Sequence, residues 1–436
     1  MARDRIFATR RRRRRPWPLL MLLLAAAPAL YALTPRVGGR DEPREIEAVR
    51  EVAFASERAA GGPTISAHSA ILIDAETGAI LYEKDAYTRR PMASTTKMMT
   101  AILAMERAKP TDVVVTSKHA SQTPYTGLYL KEGEKVSVQD LLWGLLLRSA
   151  NDACVALGEH VAGSEAKFVA LMNARAQMMG LRDTHFQNPH GLHDPNHYST
   201  AYDLAQIARY GMQHPLFAEM VAHKRKRIER SIEKQDSVVV NKNRLLFRWD
   251  AVDGVKTGYT RQAGHCLVAS ASQDGWRLIA VVLKSGDSWG DARALLEYGF
   301  RRYQRVLVAK KGTPIGVARV MGGRAETVAA VLAKDVTVVT PRGTRVDLRT
   351  QVTEGSAKAP VFRGDSLGML TLRRGDKEIG RSLLLAANAV EEKPRPSLAA
   401  RLMTVLGGLF GLLALTAVAR YGRKAAQSSR RRRRRF

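Results

Sequence analysis

The sequence predicts an α+β fold: helices and antiparallel hairpins mixed over residues 64–303, a smaller β-rich domain over 304–392, and one apolar C-terminal helix over 402–419. Three observations carry this. Hairpin signals stand at both ends of the first region and enclose a series of helical apolar repeats. Past residue 303 the chain changes to short Val/Leu/Thr runs split by Gly, Pro and charge, such as Val336-Thr337-Val338-Val339 and Met369-Leu370-Thr371-Leu372. Residues 402–419 are uncharged on every face and, at about 1.5 Å per residue, nearly reach the ~30 Å of a hydrocarbon core. With 436 residues, 45% of them hydrophobic, the chain is long enough for more than one core and ordinary for a globular protein.

The two ends carry the unusual charge. Arginine fills every position from Arg10 to Arg15 and again from Arg430 to Arg435, in a chain of net charge +29. The first run precedes a Leu/Met stretch from Leu19 to Leu24 and an alanine-rich segment, the pattern of an export signal or signal anchor over residues 1–33. Residues 34–63 then form a spacer, 393–401 a linker, 402–419 a transmembrane helix and 420–436 a basic tail. The positive-inside rule puts both arginine-rich ends in the cytoplasm and everything between them on the outer side of the cell membrane. Both runs are thus explained by topology, and no nucleic-acid partner is expected. Setting aside +7 in residues 1–33 and +10 in residues 397–436 leaves +12 for residues 34–396, which suits anionic lipids or wall polymers. Two cysteines, Cys154 and Cys266, suggest no disulfide framework.

From His68 onward, Ala70-Ile71-Leu72-Ile73, a turn at Glu76-Thr77-Gly78 and Ala79-Ile80-Leu81-Tyr82 predict a hairpin. Pro91-Met92-Ala93-Ser94-Thr95-Thr96-Lys97 then opens a run, Met98, Met99, Ile102, Leu103 and Met105, spaced as one side of a helix. Ser94 and Lys97, three residues apart, share a face near the positive end of that helix. A serine oxygen is a weak nucleophile until its proton is taken, and an amine kept neutral takes it. The same spacing recurs at Ser164 and Lys167, expected to be an N-cap, and at Ser231 and Lys234 in a charged stretch, so the pair alone is not specific.

Val113-Val114-Val115 predicts a short strand. Residues 139–147 predict an apolar helix that runs into Arg148-Ser149-Ala150-Asn151-Asp152. There Ser149 and Asn151 face one cavity, a hydroxyl to relay a proton and an amide to bond a peptide, or serve as a simple turn and cap. Helices are expected over 164–179 and 202–212. Between them lie His185, His190, His193 and His197, which match no metal-ligand spacing and suit a rigid loop. Residues 223–234 are expected to be a basic surface stretch. Asp253-Gly254-Val255-Lys256-Thr257-Gly258-Tyr259-Thr260 precedes strands over 265–270 and 276–283, joined by the hairpin signal Gln273-Asp274-Gly275. This sets Lys256-Thr257-Gly258 on a strand edge. The lysine and the threonine hydroxyl suit a carboxylate, and the glycine lets substrate approach the backbone. A helix is expected over 292–303.

Ser94-x-x-Lys97, Ser149-x-Asn151 and Lys256-Thr257-Gly258, in that order, form the set shared by class A β-lactamases and penicillin-binding proteins. Their neighbours sharpen the likeness. Pro91 to Met98, Leu145 to Ala153 and Gly254 to Thr260 resemble the D-alanyl-D-alanine carboxypeptidase branch of the low-molecular-mass penicillin-binding proteins. So do Asn188-Pro189-His190-Gly191-Leu192 and Tyr198-Ser199-Thr200-Ala201-Tyr202-Asp203-Leu204. The resemblance covers residues 66–303 and extends more loosely to the β-rich domain and the C-terminal attachment.

The resemblance implies a serine β-lactamase/D,D-peptidase-like domain, with helices around an antiparallel sheet and Ser94 at the base of a cleft. It implies a serine-type carboxypeptidase that removes the terminal D-alanine from peptidoglycan stem peptides through an acyl-enzyme. No metal or organic cofactor is needed, and β-lactams are covalent inhibitors. By analogy Ser94 attacks, Lys97 takes its proton, Ser149 relays a proton to the leaving amine and Asn151 orients the substrate. Lys256 keeps Lys97 neutral and, with Thr257, holds the terminal carboxylate. The N–H groups of Ser94 and Tyr259 bind the oxyanion, and Gly258 and Thr260 complete the substrate-binding edge. The alternatives are a membrane-tethered D,D-transpeptidase or endopeptidase, a β-lactamase, or an inactive wall-binding protein of the same fold. No Glu-x-x-x-Asn stretch of the class A kind stands between Asn151 and Lys256. Two features depart from the branch: a C-terminal segment able to span, and Ser288-Trp289 where some relatives carry an arginine. Cys154, close to Asn151, implies sensitivity to thiol reagents.

Overall fold

The computed structural model describes residues 61–233, 237–344, 349–354, 356–374, 377–394 and 397–432. The expected export signal, nearly all of the spacer, Lys234 and the last residues of the tail lie outside the described residues.

The chain begins with an antiparallel hairpin, β1 (Ser69–Asp74) and β2 (Ile80–Lys84). A 3-10 turn, Ala93–Thr96, leads straight into α1 (Lys97–Arg107). The ribbon β3 (Val113–Val115) and β4 (Lys135–Ser137) encloses the short α2 (Lys118–Ser121). Next, α3 (Val138–Trp143) widens into a π-helical turn, Gly144–Arg148. The helical layer is completed by α4 (Asn151–Ala162), α5 (Glu165–Met178), α6 (Ala201–Gly211) and α7 (Pro215–Ala222). A second ribbon, β5 (Arg225–Arg227) with β6 (Val238–Val240), precedes a 3-10 turn at Arg244–Phe247. The meander β7 (Val252–Thr260), β8 (Gly264–Gln273) and β9 (Trp276–Ser285) ends in α8 (Ser288–Arg302). Asp274 and Gly275 both have positive φ in the β8–β9 turn, as the Asp-Gly signal requires.

The meander and the first hairpin form one antiparallel sheet in the order β2-β1-β9-β8-β7. Its central strands are buried on both faces. Ile71, Ile73, Ile279 and Val281 enter the core shared with the helical layer, while Ala70, Leu72, Leu278 and Ala280 enter a second core beneath α8. That is why these strands read as unbroken apolar runs rather than alternating ones. Edge strand β7 packs beside the 3-10 turn that carries Ser94.

Helix α1 departs from the one-sided helix its spacing predicts. Every residue from Lys97 to Ala104 is buried, because the helix packs on α4, α5 and α6. Burial of Met98, Met99, Ile102 and Leu103 stabilises it by roughly 6–12 kcal/mol before chain entropy, at about 1.5–3 each.

The stretch expected to be a basic surface is corrected in part. Arg230 and Ile228 are buried, and the Arg230 and Glu134 side chains form an ion pair at 2.9 Å with no exposed surface on either. A charged run can tie itself down this way only with an acid from elsewhere, here one 96 residues earlier in the chain.

Beyond α8 lie β10 (Tyr303–Ala309), β11 (Pro314–Met321), β12 (Thr327–Leu332), β13 (Val336–Pro341), β14 (Arg349–Glu354), β15 (Ser356–Lys358), β16 (Ser366–Arg374) and β17 (Lys377–Ala386). They form a six-stranded sheet, β14-β16-β17-β12-β11-β15, and a β10–β13 pair around a separate core that includes Val320, Leu332, Leu370 and Leu384. The last element, α9 (Leu398–Arg432), starts inside the stretch expected to be a linker. Its portion Leu398–Arg423 is long and apolar enough to cross a membrane.

Candidate active site

The turn that carries Ser94 is built under strain. Ala93, just before Ser94, has φ 47°, and Ser149, which ends the π-helical turn, has φ 66°. For residues with a Cβ the left-handed region costs roughly 1–2 kcal/mol, and such positions concentrate where geometry is imposed by function. The surroundings hold Ala93. Thr96 Oγ1 donates to its carbonyl at 2.8 Å and lies 2.7 Å from His197 Nε2. His197 Nδ1 accepts from Gln187 N–H at 3.0 Å, which fixes Nε2–H as the donor to Thr96. At Gly191, φ 90°, an added Cβ would lie 2.0 Å from Ala93 O, so only glycine fits there.

Lys97 is fully buried, and its Nζ has three neighbours: Ser94 Oγ at 2.9 Å, Asn151 Oδ1 at 2.8 Å and the His190 carbonyl at 2.6 Å. A neutral amine has two N–H bonds and one lone pair. Two of the three neighbours are carbonyl oxygens, which only accept. They take both N–H bonds and leave the lone pair for the hydroxyl of half-buried Ser94. Burial lowers Lys97 from the usual lysine value to about 8, and the Lys242 ammonium pushes in the same direction. Asn151 Nδ2 donates to Pro124 O at 2.8 Å, which fixes the orientation of the amide.

The second lysine enters from the strand edge. Lys256 Nζ lies 3.0 Å from both Ser149 Oγ and the Thr257 carbonyl. Burial, with Lys97 and Lys242 as neighbours, holds it well below the usual lysine range. Gly258 brings the strand against the Ser94 turn, since a Cβ there would lie 3.0 Å from Ser94 N and 3.1 Å from Met92 O. Thr257 is half-buried beside Lys256, while Tyr259 is 61% exposed. Thr260 Oγ1 accepts from Ala263 N–H at 3.0 Å, so its hydroxyl serves the β7–β8 turn.

Ser94, Lys97 and Asn151 therefore form one hydrogen-bonded set and Ser149 with Lys256 a second, and the two lysines are close enough for each to act on the charge of the other. The two other Ser-x-x-Lys spacings stay outside both: Ser164 caps α5 and Ser231 Oγ accepts from Lys135 N–H. The histidine loop contributes a backbone atom, the His190 carbonyl. The imidazoles of His190 and His197 are lowered to about 3 by burial and are neutral. Asp152, read only as part of a polar turn, orders the segment that also bonds Asn151: its carboxylate accepts from Leu128 N–H and Leu130 N–H, each at 3.0 Å. The expected thiol sensitivity is corrected. Cys154 is fully buried, donates to Ala150 O and is pushed up to about 12 by burial, which leaves an inert thiol. Cys154 and Cys266 are both free.

A serine set beside a buried amine rather than an imidazole, on this sheet-and-helix frame, is the arrangement of a serine acyl-transfer hydrolase. Residues 56–286 match the D-alanyl-D-alanine carboxypeptidase family, and residues 303–392 match the C-terminal domain of penicillin-binding protein 5. The chain is 33% identical to the D-alanyl-D-alanine carboxypeptidase DacF of Bacillus subtilis over 73% of its own length and 85% of that protein. It is 36% identical to DacC of Escherichia coli, over 78% of this chain and 88% of that one. Penicillin-binding protein 5 from Haemophilus influenzae superposes with a TM-score of 0.66 at 31% identity, over 77% of this chain and all of that structure. The chain belongs to the D-alanyl-D-alanine carboxypeptidase family of serine peptidases.

Proposed function

We propose that the chain is a D-alanyl-D-alanine carboxypeptidase that trims peptidoglycan stem peptides at the outer face of the cell membrane. One observation carries the chemistry: both N–H bonds of Lys97 are engaged by carbonyl oxygens, so its lone pair points at Ser94. Ser94 Oγ attacks the carbonyl carbon of the penultimate D-alanine and its proton passes to Lys97 Nζ. The N–H groups of Ser94 and Tyr259 receive the oxyanion. Ser149, held by Lys256, passes the proton taken up by Lys97 on to the departing amine, which returns Lys97 to its neutral form; the C–N bond breaks, and D-alanine leaves with its carboxylate at Lys256 and Thr257. Water then opens the ester on Ser94. Asn151 chiefly positions Lys97 and retains one amide N–H for the substrate. Gly258 and Thr260 shape the substrate-binding edge.

The domain order is a catalytic domain over 64–303, a β-rich domain over 304–392 and an anchor in α9. Arg401 stands on one side of the apolar stretch; Arg420 and Arg423 stand on the other, and that basic end faces the cytoplasm. β-Lactams, which present a strained amide in place of D-Ala-D-Ala, acylate Ser94. Purified protein is expected to release D-alanine from diacetyl-Lys-D-Ala-D-Ala, and penicillin is expected to stop it. Failure to release D-alanine while still binding penicillin would move the function to a transpeptidase.

A further inference from the structure

The strand that carries Lys256-Thr257-Gly258 has a buried end and an open end. Lys256 is buried, Tyr259 is exposed, and from Tyr259 a ladder of rings leads across the sheet edge. The Tyr259 ring lies 4.7 Å from His265, its cross-strand partner, and His265 lies 6.5 Å from Trp289 in the first turn of α8. The guanidinium carbon of Arg244, from the 3-10 turn before β7, sits 5.0 Å above the Trp289 ring. Such a stack holds a guanidinium flat and desolvates one face, while its in-plane N–H bonds stay free to pair with an anion. Arg244 is exposed and has no acidic partner among the described residues. The two acids at the start of α8 are engaged elsewhere: Asp287 caps the helix, accepting from Gly290 N–H at 3.0 Å, and Asp291 accepts from Ser66 and Ser285.

We infer that Arg244, laid on Trp289, is a receptor for a carboxylate on the stem peptide upstream of the scissile bond. This rests on the carboxypeptidase reading of the same cleft. On that reading, with the leaving carboxylate at Lys256 and Thr257, the acyl half of the peptide runs on along the strand towards exposed Tyr259. The spacings along the ladder, 4.7, 6.5 and 5.0 Å, add to at most 16.2 Å between Tyr259 and the guanidinium. Three to four extended residues, at about 3.4 Å each, plus an acidic side chain cover that span. An acidic residue in that stretch of the stem peptide would present a carboxylate there, and a planar guanidinium matches one with two parallel hydrogen bonds.

Two stem-type pentapeptides test this, one with the upstream carboxylate free and one with it converted to the primary amide, beside diacetyl-Lys-D-Ala-D-Ala, which lacks that group. In Arg244→Ala, KM for the free acid is expected to rise about tenfold, the loss of a charge-assisted bidentate pair. KM for the amide and for the tripeptide, and kcat for all three, are expected to stay within twofold. Trp289→Phe, which keeps a ring under the guanidinium, is expected to retain most of the preference for the acid. Equal changes for acid and amide, or none for the acid, would overturn the receptor while leaving the carboxypeptidase reading intact. A parent protein that releases no D-alanine even from the tripeptide would remove that underlying reading instead.

Discussion

Lys97→Met is expected to lower kcat/KM for D-alanine release by about 10²–10⁴-fold, the range for losing a positioned general base. Methionine fills a similar volume, so the packing of α1 survives while the lone pair opposite Ser94 is lost. The pH profile of the parent should carry the same signature. Lys97 must be neutral to accept the serine proton, and burial sets it at about 8. Below that pH the amine is increasingly protonated, so kcat/KM should fall tenfold per unit on the acid side and level off above it. The limb should disappear in Lys97→Met. An acid limb centred near the ordinary carboxylate range, unchanged in the variant, would show that another group is the base.

Arg230→Met is expected to destabilise the protein by about 3–5 kcal/mol, because it strands a buried carboxylate. Glu134 accepts from Arg230 Nε at 2.9 Å and Nη2 at 3.0 Å, and from Lys131 N–H at 2.9 Å. Burial alone would raise the Glu134 carboxyl; the guanidinium and backbone donors outweigh it and hold it below the usual value. Its contribution is therefore present above the ordinary carboxylate range and lost as the pH falls through the lowered value. Arg230 Nη1 also donates to Leu128 O at 3.0 Å, and Leu128 N–H donates to Asp152. The same segment supplies Pro124 O and Thr126 O to Asn151. Loss of stability should thus bring loss of activity, measured by thermal melting and D-alanine release together. The double variant Arg230→Met with Glu134→Leu is expected to recover stability, since removing both charges also removes the desolvation cost. A melting point unchanged in Arg230→Met would contradict the buried pair.

Legibility in the sequence followed the range of the interactions. The β1–β2 hairpin, the β8–β9 turn, the cap at Ser164 and the edge position of Lys256 are set by neighbours in the chain, and their signals were plain. The three motifs also named the members of both hydrogen-bonded sets, since side-chain chemistry and order suffice for that. What stayed hidden depended on partners far apart. Arg230 looks like one of many surface cations until Glu134 is found beneath it. His190 reads as part of a rigid loop, yet its backbone carbonyl orients Lys97, and no side-chain pattern announces a carbonyl. Cys154 looked reactive because it is near Asn151 in sequence, but helical geometry turns its thiol into the core. The full burial of α1 was also illegible, because a spacing that marks one apolar side says nothing of what packs on the other.

The most direct measurement is the site of covalent capture. Parent protein and Ser94→Ala, incubated with benzylpenicillin at pH 8 and digested, are compared by mass spectrometry. One penicilloyl group on the peptide containing Ser94, absent from the variant, is the expected result. A label on Ser149 or another residue, or equal labelling of the variant, would contradict Ser94 as the nucleophile.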